Sequence, residues 1–501
     1  MKAKALQICG TGSGVGKSII TAALCRIFLQ DGYSVAPFKS QNMALNSFVT
    51  EEGGEIGRAQ AIQAYASKIK PTVDMNPILI KPTRDTKAQI ILLGKPVGNM
   101  SVYEYKNYKK LVFDKVKGSF KRLKEKYEIV VIEGAGSPAE INLKKHDLVN
   151  MRIARLAKAP VIIVGDIDKG GVFAWLVGTL QLMTPKEREM VRGFIINKFR
   201  GDKRLLKPGI NFLEKYTGKK VLGVVPYFHD INIPEEDSLP VRFRRKTPGP
   251  KRTIKIDVIH LPHISNFTDF DALEQEPDVS LRYVKRADEL DSPDVIIIPG
   301  TKNTIEDLSY LTKAGLAKKI ISIFHSRPSL VLAGICGGYQ MLGDRVYDKK
   351  GVESKTREME GLGLLPLTTE IYPEKILSQV KARHLDSDIV VTGYEIHHGR
   401  TEARGNLKPL FEIFGAGNEK AKKYDGITTH DNRCWGTYIH GVFDGDRFRR
   451  HFLNALRRKK GWQDLSTVNS YDVDKEIDKL ARLVRSNIDL NLLYKVLLRG
   501  R

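Results

Sequence analysis

Gly10-Thr-Gly-Ser-Gly-Val-Gly-Lys17-Ser18 follows the strand-like run Lys4–Cys9 and precedes the helical stretch Lys17–Gln30. Glycines at alternate positions let the backbone curl until successive N–H groups face one polyphosphate, and the N-terminus of the following helix adds its positive end. Lys17 is placed to reach β- and γ-phosphates, and the Ser18 hydroxyl suits Mg²⁺. The loop therefore predicts ATP binding through Gly12, Gly14, Val15, Gly16, Lys17 and Ser18. It departs from the usual spacing in one respect: Thr11 stands where the first glycine is expected, and Gly10 comes one residue early.

Working outward, strand-like runs alternate with helical stretches: Tyr33–Phe38, Ile129–Ile132, Val161–Val164 and Gly193–Ile196 are short and apolar. That alternation predicts right-handed βαβ units around a parallel sheet. Ligands in such sheets bind at the carboxyl ends of the strands, where Glu133 follows Ile129–Ile132. A carboxylate there is a candidate Mg²⁺ ligand. Lys39, just past Tyr33–Phe38, is placed to neutralise a transferring phosphate or a substrate carboxylate. Asp166 and Asp168 end another strand, where a catalytic, metal-binding or helix-capping role is open.

The stretch Arg242-Phe-Arg-Arg-Lys-Thr-Pro-Gly-Pro-Lys-Arg252 mixes charge, proline and glycine without apolar periodicity, which is a linker composition. Alternation then restarts with Ile254–Leu261, Val295–Ile298 and Leu330–Ile335. The sequence thus divides into a nucleotide-binding domain over 1–241, a linker over 242–252, a second α/β domain over 253–446 and a helical tail over 447–501.

Within the second domain, Cys336 lies in Leu332-Ala-Gly-Ile-Cys-Gly-Gly-Tyr-Gln340, directly after an apolar run. Small neighbours permit a sharp strand-to-helix turn that presents the sulfur, and a helix N-terminus favours the thiolate. A buried core cysteine would explain the thiol but not its glycines. A nucleophilic thiol needs a base. His440, in Gly436-Thr-Tyr-Ile-His-Gly-Val-Phe443, is the candidate, with His397 and His398 as competitors. The loop Pro299–Thr304 offers backbone N–H groups for an oxyanion. Val442 occupies the position two past the histidine where a carboxylate would orient it, and Asp444 is out of register. The reading is a Cys–His dyad.

Composition narrows the function classes. The chain has 501 residues, too many for one ordinary core, with 42% hydrophobic and 28% charged residues, so extensive disorder is excluded. Its 82 Lys+Arg against 58 Asp+Glu give a formal net charge of +24. The excess is spread over surface-like stretches with no nucleic-acid motif, which fits a solvated surface or attraction to anionic substrates. Four cysteines without metal-ligand spacing, no signal-like start and no long apolar run predict a cytoplasmic protein with no membrane partner and no nucleic-acid partner. Whether it forms a homo-oligomer stays open.

These motifs carry a resemblance. The first half resembles the dethiobiotin synthetase-like branch of P-loop proteins, and the second is similar to class I (triad-type) glutamine amidotransferases. Taken with Pro37–Ser47, Gly54–Gln60, Glu133–Asn142, Gly165–Phe173, Gly334–Gln340 and His440, the ordered set resembles the cobyric acid synthase family. The resemblance implies a P-loop parallel-sheet domain followed by an amidotransferase α/β domain. It implies L-glutamine and an anionic corrinoid as substrates, with Cys336 as nucleophile, His440 as its base and no third triad residue. The reaction implied is ATP- and glutamine-dependent amidation of the b, d, e and g carboxylates of adenosylcobyrinic acid a,c-diamide. By the same analogy Glu55 joins Ser18 and Glu133 around Mg²⁺, and Asn197 recognises adenine. The alternative is a sister amidotransferase acting on another carboxylate, as cobyrinic acid a,c-diamide synthase does. A partitioning-type ATPase would not need Cys336 and His440, and it carries a second lysine early in its loop where this chain has Thr11.

Overall fold

The computed structural model describes residues 3–84, 87–228, 230–233, 252–405, 407–416, 423–466 and 472–499. The linker expected over 242–252 lies outside them except for Arg252. The chain forms two units: Met1–Ala44, Glu55–Asp237 and Asp472–Arg501 make the first, and Leu45–Gly54 with Ser238–Tyr471 the second. Both are α/β, and the chain enters each more than once.

The first unit is built on a six-stranded sheet. Its order is Lys220–Pro226, Val191–Phe199, Val161–Asp166, Lys4–Gly10, Ile129–Glu133 and Val35–Phe38, all parallel. Lys4–Gly10 thus lies between Ile129–Glu133 and Val161–Asp166, so the glycine loop opens beside Glu133 and Asp166. The strands are buried on both faces, as their continuous Ile/Val character requires. The end of the chain completes one face. Ile477, Leu480 and Val484 of the helix Val473–Arg485 and Leu493 and Leu497 of Leu490–Arg499 join Ile20, Leu24 and Phe28 of the loop's own helix in one core. Arg26 on that helix is 1% exposed and pairs with Asp478 at 2.7 Å and with Asp474.

The second unit carries five parallel strands in the order Val279–Val284, Ile254–Ile259, Val295–Ile298, Val331–Ile335 and Cys434–Thr437. An antiparallel region continues the sheet through Lys423–Thr428, Lys408–Ala416 and Leu367–His384, with Val390–Ala403 paired to the last. Val331–Ile335 and Cys434–Thr437 are neighbours, so the chain leaving each strand emerges at one edge: Cys336 follows the first and His440 the second. The helix Asp446–Lys459 packs on this unit, and its Arg449, Arg450 and Arg457 are buried against Glu276 and Asp278. No helix among the described residues is long and apolar enough to cross a membrane.

Candidate functional site

In the first unit the glycine loop adopts the geometry that its composition predicts. Gly14 and Gly16 sit at φ +70° and +98°, in the left-handed region where a side chain would be strained. Gly16 also has Asn197 against it, leaving no room for a Cβ. The Lys17 ammonium folds over the loop, donating to the carbonyls of Gly12 (2.7 Å) and Gly136 (3.2 Å). These are neutral carbonyl acceptors, so a polyphosphate is a better partner for the charge. Gly12, Gly14, Val15, Gly16, Lys17 and Ser18 therefore lie together in one cradle.

Glu133 closes this cradle. Its Oε1 accepts from Ser18 Oγ (2.8 Å) and Lys39 Nζ (2.8 Å), and its Oε2 from Gln63 Nε2 (2.6 Å) and Gln60 Nε2 (3.4 Å). Burial alone would raise this carboxyl's pKa; the Lys39 charge and the donors from Lys39, Gln63 and Ser18 outweigh it and hold the group ionised. An ionised carboxylate touching a hydroxyl is a hard-oxygen pair that fits Mg²⁺. Among the described residues no three His, Cys, Asp or Glu side chains converge, so remaining ligands would come from phosphate and water. Glu55, expected as the third ligand, has its buried carboxylate on the Lys81 ammonium at 2.9 Å. A metal role for it would require Lys81 to give way.

Asn197 holds the loop from behind: its Nδ2 donates to the Val15 carbonyl at 3.0 Å, while its buried Oδ1 has no partner. An orphaned acceptor beside a nucleotide loop fits an amino donor on a base. Lys198, which the sequence reading passed over, follows at φ 61° and donates to Gly14 O (2.6 Å) and Asp166 Oδ2 (2.8 Å). Asp166 is thereby an ion-pair partner of Lys198, and Asp168 pairs with Arg200 at 2.7 Å.

In the second unit Cys336 sits at φ 51°, ψ −108°, a strained turn between the strand Val331–Ile335 and the helix Gly337–Met341. The glycines allow it: a Cβ on Gly338 would fall on the Ile298 carbonyl, and one on Gly337 would lie 2.6 Å from Thr301 Cγ2. The Cys336 N–H is anchored on Thr437 O at 2.8 Å, tying the nucleophile to the strand that leads to His440. The Gly300 Cα lies between the two groups, since a Cβ there would be 2.9 Å from His440 Cε1 and 3.7 Å from Cys336 Cβ. Gly300 of the Pro299–Thr304 loop is therefore at the nucleophile, while the N–H groups of Lys302, Asn303 and Thr304 are bonded to His263 O, Thr301 Oγ1 and Glu353 Oε2.

The bare dyad does not hold. Asp269, in the short turn Phe267–Phe270, accepts from His440 Nδ1 at 2.7 Å through Oδ2 and from the Gly441 N–H at 3.0 Å through Oδ1. It does the work that Val442 cannot, from a position 171 residues earlier. No motif or spacing marks it, because the turn has no periodicity and precedes the strand Val279–Val284. Burial alone would lower the His440 pKa; the Asp269 carboxylate and the Cys336 sulfur outweigh it and raise the value to about 10. The imidazolium is thus held between the Asp269 carboxylate and the Cys336 sulfur. His397 and His398 are engaged elsewhere, their Nδ1 atoms on Gly399 O (2.7 Å) and Tyr372 O (3.0 Å). Cys9 and Cys25 are pushed up to about 12 by burial, and Cys434 is raised as well, so all three remain inert thiols.

Comparison with known proteins finds a family for each half of the chain. Residues 6–241 match the CobQ/CobB/MinD/ParA nucleotide binding domain, and 255–448 the CobB/CobQ-like glutamine amidotransferase domain. The chain is 48% identical to the cobyric acid synthase of Syntrophobacter fumaroxidans, over 99% of each chain. It is 51% identical to that of Clostridium botulinum strain Loch Maree (98% of this chain, 99% of the relative) and 50% to that of Dehalococcoides mccartyi CBDB1 (99% of each). With near-complete coverage at this identity, the chain belongs to the cobyric acid synthase family, glutamine amidotransferases joined to a P-loop nucleotide-binding domain.

Proposed function

We propose that the enzyme amidates the b, d, e and g carboxylates of adenosylcobyrinic acid a,c-diamide, taking nitrogen from glutamine and energy from ATP. The observation that carries this reading is the pairing, in one chain of this family, of a buried Cys336–His440–Asp269 triad with a Ser18–Glu133 pair under a phosphate loop.

The Cys336 thiolate attacks the glutamine side-chain carbonyl. His440 gives its proton to the departing nitrogen, leaving ammonia and a γ-glutamyl thioester, and then takes a proton from the water that hydrolyses it. Backbone N–H groups of Gly337 and of Gly300 or Thr301 would hold the oxyanion. In the first unit a substrate carboxylate oxygen attacks the γ-phosphorus of ATP, and ADP leaves. Lys17 and Lys39 neutralise charge on the transferring group. Ammonia then displaces phosphate from the acyl phosphate, forming the amide. Activation is needed because a carboxylate offers only an oxide leaving group, whereas the acyl phosphate releases phosphate. Ser18 and Glu133 would hold Mg²⁺, which would supply further neutralisation of phosphate charge.

The test is the mass change of cobyrinic acid a,c-diamide, in its adenosylated form, incubated with enzyme, ATP, Mg²⁺ and glutamine. Four successive amidations support the reading. No mass change, with turnover of the unamidated acid instead, favours the sister amidotransferase.

A further inference from the structure

Asn266 and the segment Leu45–Gly54 lie beside the bond-making groups of the second unit, yet neither is required by the steps above. Asn266 adopts φ 53°, ψ 38°, a left-handed conformation that asparagine tolerates better than most residues, and it is 2% exposed. Its Oδ1 accepts the Ser47 N–H at 3.0 Å. A backbone N–H can only donate, so this contact fixes which end of the amide is oxygen. It turns Nδ2, a pure donor, toward His440 Nε2 at 3.5 Å.

A donor facing Nε2 finds a lone pair only when that nitrogen is unprotonated. Nε2 reaches that state after giving its proton to ammonia, and it must be in that state to take one from water. The contact therefore addresses the thioester stage rather than the attack on glutamine. A second hold acts on the same ring. Tyr394 stacks on His440 (centroids 5.3 Å apart, planes at 17°), and its hydroxyl donates to Ser47 O at 3.3 Å. Phe48 packs on Tyr394 at 5.7 Å, and the Gln379 amide donates to Val49 O. Ser47 thus fixes, through its N–H and its C=O, both groups that touch the two faces of the imidazole's freedom: its edge and its plane.

We propose that Asn266 is a positioning residue for thioester hydrolysis and that Leu45–Gly54 is the strap that holds it. The proposal rests on Cys336 being the glutaminase nucleophile. In the step it serves, the water oxygen bonds to the thioester carbonyl carbon and Nε2 takes the water proton. The C–S bond then breaks, releasing glutamate and the Cys336 thiolate. The Asn266 donor keeps the neutral ring aimed while it waits for water.

The experiment uses the full chain with glutamine and rapid quench, following ammonia, glutamate and intact protein mass. Asn266→Asp keeps the acceptor for Ser47 but replaces the donor, and Ser47→Pro removes the N–H that orients Asn266. Both are expected to lower steady-state glutamate release by about 10- to 100-fold. A stoichiometric burst of ammonia and an accumulated glutamyl-enzyme should accompany that loss, while synthesis from ammonium salts runs at the native rate. Native glutamate release in Asn266→Asp, or slowing without accumulated thioester, overturns the proposal. Loss of ammonia-driven synthesis in the same variant would place Asn266 in the fold alone and overturn it too. The underlying reading fails separately, if Cys336→Ala still hydrolyses glutamine.

Discussion

Asp269 Oδ2 stands 2.7 Å from His440 Nδ1, joining a turn before the second strand of the amidotransferase unit to a loop 171 residues later. That carboxylate fixes the ring's tautomer, leaves Nε2 for the sulfur and keeps the imidazolium charged in a buried site. Asp269→Asn should lower glutamine-dependent turnover by about 10²- to 10⁴-fold. Synthesis from ammonium salts should persist, as measured by amide formation with each nitrogen source.

The same variant has a pH signature. With Asp269 present the His440 pKa is raised to about 10, so the ring stays protonated from neutral pH up to that point. Removing the carboxylate's charge lowers this value, and the imidazolium is lost at lower pH. The pH profile of glutamine hydrolysis should show the change: its alkaline limb should fall at lower pH in Asp269→Asn than in the native chain.

Glu133→Gln should act on the other half-reaction. It removes the charge that holds Lys39 and Ser18 at 2.8 Å each and the carboxylate that suits Mg²⁺. ATP-dependent amidation should fall about 100-fold or more with ammonia as with glutamine. Glutamate release by the triad should survive. Parallel ADP and glutamate assays separate the two effects.

Gly300→Ala places a methyl 2.9 Å from His440 Cε1, closer than carbon atoms pack. The ring is clamped by Asp269 and Tyr394, so it must tilt away from the sulfur. Glutaminase kcat should drop by about 10- to 100-fold, with the thermal midpoint measured alongside to show that the unit remains folded.

Asp278 is 2% exposed and accepts from Arg450 (2.9 and 3.1 Å) and Arg457 (2.9 Å). Asp278→Ala leaves the buried Arg457 guanidinium without its carboxylate, while Arg450 keeps Glu276, and breaking such a buried pair costs about 3–5 kcal/mol. Urea unfolding of the variant should show a correspondingly lower midpoint, a larger loss than a surface ion pair such as Arg204–Asp202 would give.

Much of the nucleotide site was legible because its chemistry is local. A strand, four alternating glycines, Lys17 and Ser18 are contiguous, and the strand end Glu133 announces itself as the last residue of an apolar run. Lys198 was legible in principle, one residue past Asn197, but its left-handed backbone and its reach to Gly14 depend on the neighbouring strand. Cys336 and His440 were readable from their glycines. Asp269 was not, since only the closing of Phe267–Phe270 against Gly441 brings it to the ring. The same holds for Glu55, whose burial against Lys81 depends on a strand 26 residues away.

By itself the sequence determined what short-range physics controls: the alternation that builds the parallel strands of both sheets, the glycine loop that turns after the first of them, and the turn that strains Cys336. Only the tertiary structure decided which distant groups complete each site. It returned Leu45–Gly54 to the amidotransferase unit, gave Asp269 to His440, and laid the helices after Asp472 on the phosphate-loop helix. The reason is that a hydrogen bond or buried ion pair is specified by position in space, and side chains far apart in the chain carry no periodicity that records their meeting.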